Sequence, residues 1–238
     1  MVLTEPNDFE QRARWRNAYG AQRMKQEFGY CVIFPIGLLR NTSESKRLEG
    51  EKDLYGDILQ GDYVDSYRNL SLKSLSALRY IAIAYPKVKA ILKMDDDIAW
   101  NVPKVANYIN YILPRSISCH KYESGPPIRD KTSRWFTAYN EYPEGKFPQY
   151  CNGAAYILHG TALQPMFRKV TKLRFFWVDD VFITGLLTRD ADIHFIKFNQ
   201  YIKLKKLHKP PSTIFYDDMM FYGTNKESIG FKFVKRVR

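Results

Sequence analysis

Residues 90–97 read Ala-Ile-Leu-Lys-Met-Asp-Asp-Asp, a mostly apolar run that ends in three consecutive aspartates. A short apolar run of this kind predicts a buried β-strand. Carboxylates at the end of a buried strand are costly unless a cation neutralises them. The stretch therefore predicts a strand that delivers Asp95, Asp96 and Asp97 to a functional site, with a solvated acidic turn as the alternative.

Strand and helix patterns alternate on both sides of this stretch. Strands are predicted over Tyr30–Phe34 and Ala154–Leu158, and Ser116–Gln149 is predicted to be loop with short strands. Charge, periodicity and helix-end residues predict five helices: Glu44–Tyr55, Asn69–Ala84, Pro103–Leu113, Thr161–Val170 and Asp179–Thr188. This alternation predicts an α/β fold with a mostly parallel central sheet flanked by helices, in which a ligand binds at the carboxyl ends of the strands.

The composition is that of a globular protein. The chain has 238 residues, enough for one large domain, with 45% hydrophobic and 26% charged residues. These values exclude wholesale disorder, collagen and coiled coil. No apolar run reaches the roughly 18 to 20 residues of a membrane-spanning helix, and Met1–Arg16 lacks the apolar core of a signal peptide. We therefore expect no targeting signal within this sequence.

Basic residues outnumber acidic ones, which gives a net charge of +12. A strongly basic protein favours anionic partners such as phosphates, nucleic acid or membrane surfaces. The C-terminal part is especially basic, but no nucleic-acid motif accompanies it, and the alternation in Tyr201–Lys205 also predicts a half-exposed strand. We expect a phosphate-bearing ligand and no nucleic acid.

The spacing Asp95-x-Asp97 places two carboxylates on one side of an extended segment. Carboxylate oxygens suit Mg²⁺ or Mn²⁺, which commonly bind through one or two carboxylates together with substrate phosphates. One carboxylate of the triplet would reach the metal while another holds a nearby sugar hydroxyl.

A second acidic pair, Asp179-Asp180, follows three aromatic residues. Either carboxylate could cap the helix predicted after it. A carboxyl group beside aromatic rings could instead have the raised pKa that suits a general base. The two interpretations are compatible.

Basic residues and one glycine complete the candidate site. Arg12 and Arg16 precede the first predicted strand, and Lys73 lies on the helix before the acidic strand. Gly153 opens a predicted strand, where its lack of a side chain would let the backbone approach a ligand. The alternatives are solvated surface charge for the basic residues and tight packing for Gly153.

Several motifs occur in an order that resembles the β-1,3-galactosyltransferase family of glycosyltransferases (family 31), including its N-acetylglucosaminyl relatives. The longest motif is Glu51–Lys73, which is similar to the family's Glu-x-x-x-Tyr-Gly-Asp-Ile-Leu to Asn-Leu-Thr-x-Lys pattern nearly throughout. Four further segments are similar, the first only loosely: Arg12–Tyr19, Ile91–Asn101, Pro148–Ile157 and Asp179–Gly185.

The resemblance implies a GT-A-type fold, a UDP-sugar donor, Mn²⁺ and an inverting transfer that forms a β-1,3 linkage to a glycan on a glycoprotein or glycolipid. By position, Asp180 matches the family's acceptor-activating base, and Asp97 its principal metal ligand, helped by Asp95. A metal-binding histidine is expected in the C-terminal part, with His208 as the first candidate and His194 as the second. The residues expected to contact substrate are Arg12, Arg16, Lys73, Asp95, Asp96, Gly153 and Asp179.

The chain also departs from the family. The helix after Asp180 lacks the cysteine that usually pairs with the one at Cys151, and a pair with Cys119 is one option. Relatives usually carry a membrane anchor and stem, so residues 1–11 are interpreted as a stem-like segment and 12–238 as one catalytic domain. The resemblance implies the Golgi lumen, with a Golgi membrane partner only if an anchor lies outside this chain. A non-catalytic UDP-sugar-binding or glycan-binding member, or a truncated one, is the alternative function.

Overall fold

The structure is a computed structural model that describes residues 1–39, 41–204 and 219–229. Its strands are β1 Val2–Leu3, β2 Phe34–Leu38, β3 Ile58–Val64, β4 Ala90–Asp95, β5 Ile98–Trp100, β6 Ser116–Tyr122, β7 Tyr150–His159, β8 His194–Lys197, β9 Ile202–Lys203 and β10 Phe221–Gly223. Its α-helices are α1 Phe9–Tyr19, α2 Gln22–Phe28, α3 Thr42–Tyr55, α4 Leu70–Ala84, α5 Val102–Asn110 and α6 Leu163–Val170. A π-helical segment, Val181–Leu186, follows α6.

Five strands form the central sheet in the order β1-β4-β7-β6-β8. Along β7, Ala155 and Ile157 belong to one buried hydrophobic cluster, whereas Tyr156 and Leu158 belong to another. Because successive side chains of a strand point to opposite faces, both faces of the central sheet are covered. The predicted α/β class with a sheet flanked by helices is therefore confirmed.

Two smaller sheets adjoin the central one. Strands β2 and β3 pair in parallel, and the Val2 amide donates a hydrogen bond of 3.0 Å to the Ile33 carbonyl, just before β2. Strands β5, β10 and β9 form the third sheet. Among the described strands, four of seven pairings are parallel. Within the central sheet the two kinds are equal in number, because β7 runs antiparallel to both of its neighbours.

All five predicted helices are present, with ends that differ by a few residues. The last of them is the π-helical segment. The strand predicted over Tyr30–Phe34 is displaced, because β2 begins at Phe34 and contains Pro35, which pairs with Leu59. Helices α1 and α2 were not predicted, since neither carries an apolar stripe; α1 even buries Arg12.

The first residues of the chain belong to the fold rather than to a separate stem. Val2 pairs with Met94 and Leu3 with Asp95, and these two N-terminal residues are buried. Helix α1 then begins at Phe9, with the Asp8 side chain accepting a hydrogen bond from the Gln11 amide. None of the helices in the described ranges combines the length and hydrophobicity that a membrane span requires.

A disulfide joins Cys119 on β6 to Cys151 on β7, so the pairing left open by the sequence is present. Both cysteines are completely buried, whereas Cys31 is a free, exposed thiol. The bond closes a loop over a sequence separation of 32 residues. A crosslink of this span stabilises a protein mainly by restricting its unfolded chain.

Replacing Cys119 and Cys151 together by serine should lower the free energy of unfolding by about 3 to 4 kcal/mol. Urea denaturation followed by circular dichroism measures this difference. The matched control is Cys31→Ser, which removes an exposed thiol and should leave the midpoint unchanged. Equal stability of the double variant and the control would contradict the assignment.

Candidate active site

The three aspartates form the turn between β4 and β5. Asp95 ends β4 with its side chain 43% exposed, whereas Asp96 is buried. The Asp96 carbonyl accepts hydrogen bonds from Gln11 Nε2 at 2.7 Å and from Trp15 Nε1 at 2.9 Å. Helix α1 therefore holds the acidic turn through two side chains that the sequence did not single out.

A C-terminal segment holds the same turn from the other side. Strand β10 pairs antiparallel with β5, and the Thr224 amide donates to the Asp97 carbonyl at 2.8 Å. Lys226 Nζ lies 2.9 Å from carboxylate oxygens of both Asp8 and Asp96. Burial raises the pKa of Asp96 to about 6, although Lys226 opposes the shift. No local pattern in the sequence pointed to Lys226, since its partners are remote along the chain.

Lys93 connects the acidic turn with the second acidic pair. Its side chain is buried, and its ammonium donates to Asp95 Oδ1 at 2.7 Å and to the Gly153 carbonyl. Burial alone would lower the pKa of Lys93, but Asp95, Asp179 and Asp180 raise it above its usual value. The signal for Lys93 in the sequence is a charged residue inside an otherwise apolar strand.

The second acidic pair lies at the start of the π-helical segment. Asp180 Oδ1 accepts a hydrogen bond of 3.0 Å from the Val181 amide, so this residue caps the segment. Asp179 is buried, and its Oδ1 has no hydrogen-bond partner among the described residues. Burial raises the pKa of Asp179 to about 7, against the opposing effect of Lys93. Burial also raises the pKa of Asp180, and Lys93 again opposes the shift.

Gly153 lies directly against Asp180. A Cβ atom at this glycine would come 3.2 Å from Asp180 Cβ, closer than an ordinary van der Waals contact. The glycine thus leaves room for the Asp180 carboxyl, while its carbonyl accepts from Lys93. The structure therefore brings together Asp95, Gly153, Asp179 and Asp180 around one lysine.

The predicted basic ligands have internal ion-pair partners. Arg12 is completely buried and lies 2.6 Å from Glu51, which also pairs with Arg16 at 2.6 Å. Arg16 also contacts Asp57 at 2.7 Å. Lys73 lies 2.7 Å from Asp65 and donates to the Thr4 carbonyl at 2.9 Å. All three basic residues therefore stabilise contacts within the fold. Their contact with a substrate stays a prediction.

Of the two histidine candidates, His194 is the one that lies within the described residues. His208 lies outside the described residues. His194 is exposed on β8, which is separated from β4 by β7 and β6. Within the described ranges, no three His, Cys, Asp or Glu side chains are grouped so that they could hold a metal ion. Asp95 and Asp97 are the carboxylates that the turn offers.

Comparison of the sequence with known protein families identifies the family of this chain. Residues 10–199 match the family model described as galactosyltransferase, and the chain belongs to this family. Human beta-1,3-galactosyltransferase 5 is 25% identical over 89% of this chain and 66% of its own length. Mouse beta-1,3-galactosyltransferase 1 is 28% identical over 82% of this chain and 60% of its own length. The chain thus spans less than two thirds of these relatives.

One solved structure is similar at a low level. It is a glycosyltransferase involved in the glycosylation of the major capsid of PBCV-1, and it covers 84% of this chain and 97% of its own. The identity is 14% and the TM-score 0.38.

Asp179→Asn should change how stability depends on pH. The pKa of Asp179 is about 7 in the folded state against 3.8 for a free side chain. The folded protein binds this proton more tightly, so the contribution of Asp179 to stability falls as pH rises from about 4 to 7. The variant lacks this loss and should gain about 4 kcal/mol relative to wild type between pH 4 and 8. Chemical denaturation across this pH range measures the gain, and the exposed Asp190→Asn is the control. If the free energy of unfolding changed with pH equally in Asp179→Asn and wild type, the prediction would be refuted.

Lys226→Gln should loosen the acidic turn without unfolding the protein. Its amine bridges Asp8 and Asp96 and is partly exposed, so we expect a loss of about 1 kcal/mol. Amide exchange at Thr224, which donates to Asp97, should become roughly fivefold faster. Hydrogen exchange followed by mass spectrometry measures this rate. The exposed Lys87→Gln serves as the matched control, and equal exchange in both variants would show that Lys226 does not hold the turn.

Proposed function

We propose that this chain transfers a hexose, galactose or an N-acetylhexosamine, from a UDP-sugar to the 3-hydroxyl of a glycan acceptor and forms a β-1,3 linkage. The observation that carries the proposal is that Lys93 binds both the Asp95 carboxylate and the carbonyl of Gly153, the residue that lies against Asp180. Asp95 lies at the end of β4, and Asp180 lies beside Gly153 across the same lysine. The names of the relatives, beta-1,3-galactosyltransferases, support the same reaction.

Asp180 is proposed as the base that activates the acceptor. Its raised pKa, caused by burial, makes the carboxylate a stronger proton acceptor than an exposed aspartate. The acceptor hydroxyl oxygen forms the new bond to the anomeric carbon as its proton passes to Asp180. The bond from that carbon to the UDP oxygen breaks, and UDP departs with the electron pair. A single displacement of this kind inverts the anomeric configuration, by the same logic as in inverting glycosidases.

Asp95 and Asp97 are proposed to hold Mn²⁺. The donor set fits, because hard carboxylate oxygens suit this ion and two carboxylates suffice when substrate phosphates complete the shell. When bound, Mn²⁺ would neutralise negative charge on the departing diphosphate. Lys93 keeps the Asp95 carboxylate oriented through its hydrogen bond of 2.7 Å. The proposed third ligand, His208, lies outside the described residues.

The Golgi lumen is the proposed location. Disulfides persist in oxidising compartments, and Cys119 is bonded to Cys151 in the buried core. Asn41 begins the tripeptide Asn-Thr-Ser, a glycosylation acceptor sequence, and its side chain is exposed. Both features suit a protein of the secretory pathway that acts on glycoprotein or glycolipid glycans.

Asp180→Asn should abolish sugar transfer while UDP binding is retained. The amide cannot accept the hydroxyl proton, and we expect a loss of at least about 100-fold in the rate of UDP release. The assay offers UDP-galactose, UDP-N-acetylglucosamine and UDP-N-acetylgalactosamine with Mn²⁺ or EDTA and a panel of acceptors. The exposed Asp190→Asn is the matched control.

Two results would contradict this proposal. Unchanged transfer by Asp180→Asn would remove Asp180 from its role as the base. UDP binding without release by well-folded wild-type protein would favour a non-catalytic binding module.

A further inference from the structure

Aromatic rings and arginines share an exposed patch that is linked to the segment of the proposed base through the buried Trp177. Arg68 lies 4.3 Å from the centre of the Trp177 ring, and Trp177 precedes Asp180 by three positions. The Tyr67 and Trp177 ring centres are 6.1 Å apart. We call this patch the aromatic–arginine surface and define it by Tyr67, Arg68, Arg134, Trp135 and Tyr139.

The aromatic side chains of this surface are unusually exposed. The exposed fractions are 41% for Tyr67, 49% for Trp135 and 70% for Tyr139. Large apolar side chains that stay exposed together commonly mark a binding site. Aromatic side chains are common in sites that bind small ring-shaped ligands.

Arg134 differs from the other arginines nearby. Its guanidinium lies 4.6 Å from the Tyr67 ring centre and 5.2 Å from that of Trp135. Arg68 forms an ion pair with Glu141, and Arg129 donates to the carbonyls of Thr137, Tyr142 and Glu144. Within the described residues, these two rings are the partners of Arg134, and no carboxylate neutralises it. The side chain is exposed and lies over both rings.

An exposed guanidinium without a carboxylate partner is suited to bind an anion. Its planar set of N–H donors matches the two oxygens of a carboxylate, and the same geometry serves sulfate and phosphate groups. Because the flanking rings already restrict the side chain, little conformational entropy is lost on binding. The surface and its surroundings carry Arg68, Arg129 and Arg134; Glu141 pairs with Arg68, whereas Arg129 binds carbonyl groups.

We propose that the aromatic–arginine surface binds the acceptor glycan, and that this glycan carries a carboxylate or sulfate group that Arg134 holds. The inference rests on the proposed transferase function. A glycan with its terminal sugar at Asp180 reaches Tyr67 and Arg134 with its next residues. The exposed rings then stack on sugar faces, and Arg134 selects anionic over neutral acceptors.

The test compares glycans that differ only in charge. A glycan array carries matched sets with the same terminal sugar: neutral, sulfated and hexuronate-containing forms. The full chain is applied without donor, and solution affinity is then measured by calorimetry for the best matched pair. We expect the anionic form to bind about tenfold more tightly than the neutral form. The sulfated and hexuronate arms distinguish the two sources of negative charge.

Arg134→Gln should remove this preference, and Arg134→Lys should keep only part of it, since lysine retains the charge but not the planar donors. Arg23→Gln is the matched control, because Arg23 is an exposed arginine on α2. The preference should also weaken with added salt. Thermal unfolding checks that the variants stay folded.

Three results would overturn the inference: equal binding of neutral and anionic glycans, no glycan binding at all, or a preference that survives Arg134→Gln. The binding readout needs no turnover, so its failure is separable from failure of the transferase. UDP release with neutral acceptors but without anionic preference overturns only this inference. Anionic preference without UDP release from any donor contradicts only the proposed function.

Discussion

The ammonium group of Lys93 is buried inside a β-sheet, where an unpaired charge would be costly. Acidic groups from two parts of the chain compensate this charge. Asp95 follows on the same strand, whereas Asp179 and Asp180 arrive with the π-helical segment about 85 residues later in sequence. The position of β7 depends on the same lysine, because the Gly153 carbonyl accepts from it. Compensation of the buried Lys93 charge thus matters both for stability and for the assembly of the site.

A second set of buried charges secures the first half of the chain. Glu51 on α3 binds Arg12 and Arg16 of α1, and Asp57 before β3 binds Arg16 again. Asp65 after β3 pairs with Lys73 on α4. These links explain in physical terms why acids and bases are spread along the motif Glu51–Lys73. Buried pairs of this kind add little net stability, but removing one partner leaves a buried charge, so they favour a single arrangement of the elements.

The sequence predicted the parts of the fold that depend on local patterns. Apolar runs and helix-end signals located β4 and all five predicted helices, because burial of one face leaves a periodic trace. The site was predicted where acids interrupt such runs, at Asp95 and Asp180. Contacts between distant segments left no trace, which is why Lys226 was missed. The ion pairs of Arg12 and Arg16 could not be predicted, because a sequence does not reveal that a basic side chain has a buried partner.

The internal ion pairs bear on where the excess positive charge lies. Arg12, Arg16, Lys73 and Lys93 each face a carboxylate, so they contribute little to the net charge of +12. The surplus therefore belongs to cations outside the buried networks. Arg134 is such a cation, and it lies over the Tyr67 and Trp135 rings on an exposed surface. Under the proposed function, a donor diphosphate would meet carboxylates at the acidic turn, so a metal ion would have to supply positive charge there, whereas the aromatic–arginine surface would offer positive charge directly to an anionic acceptor.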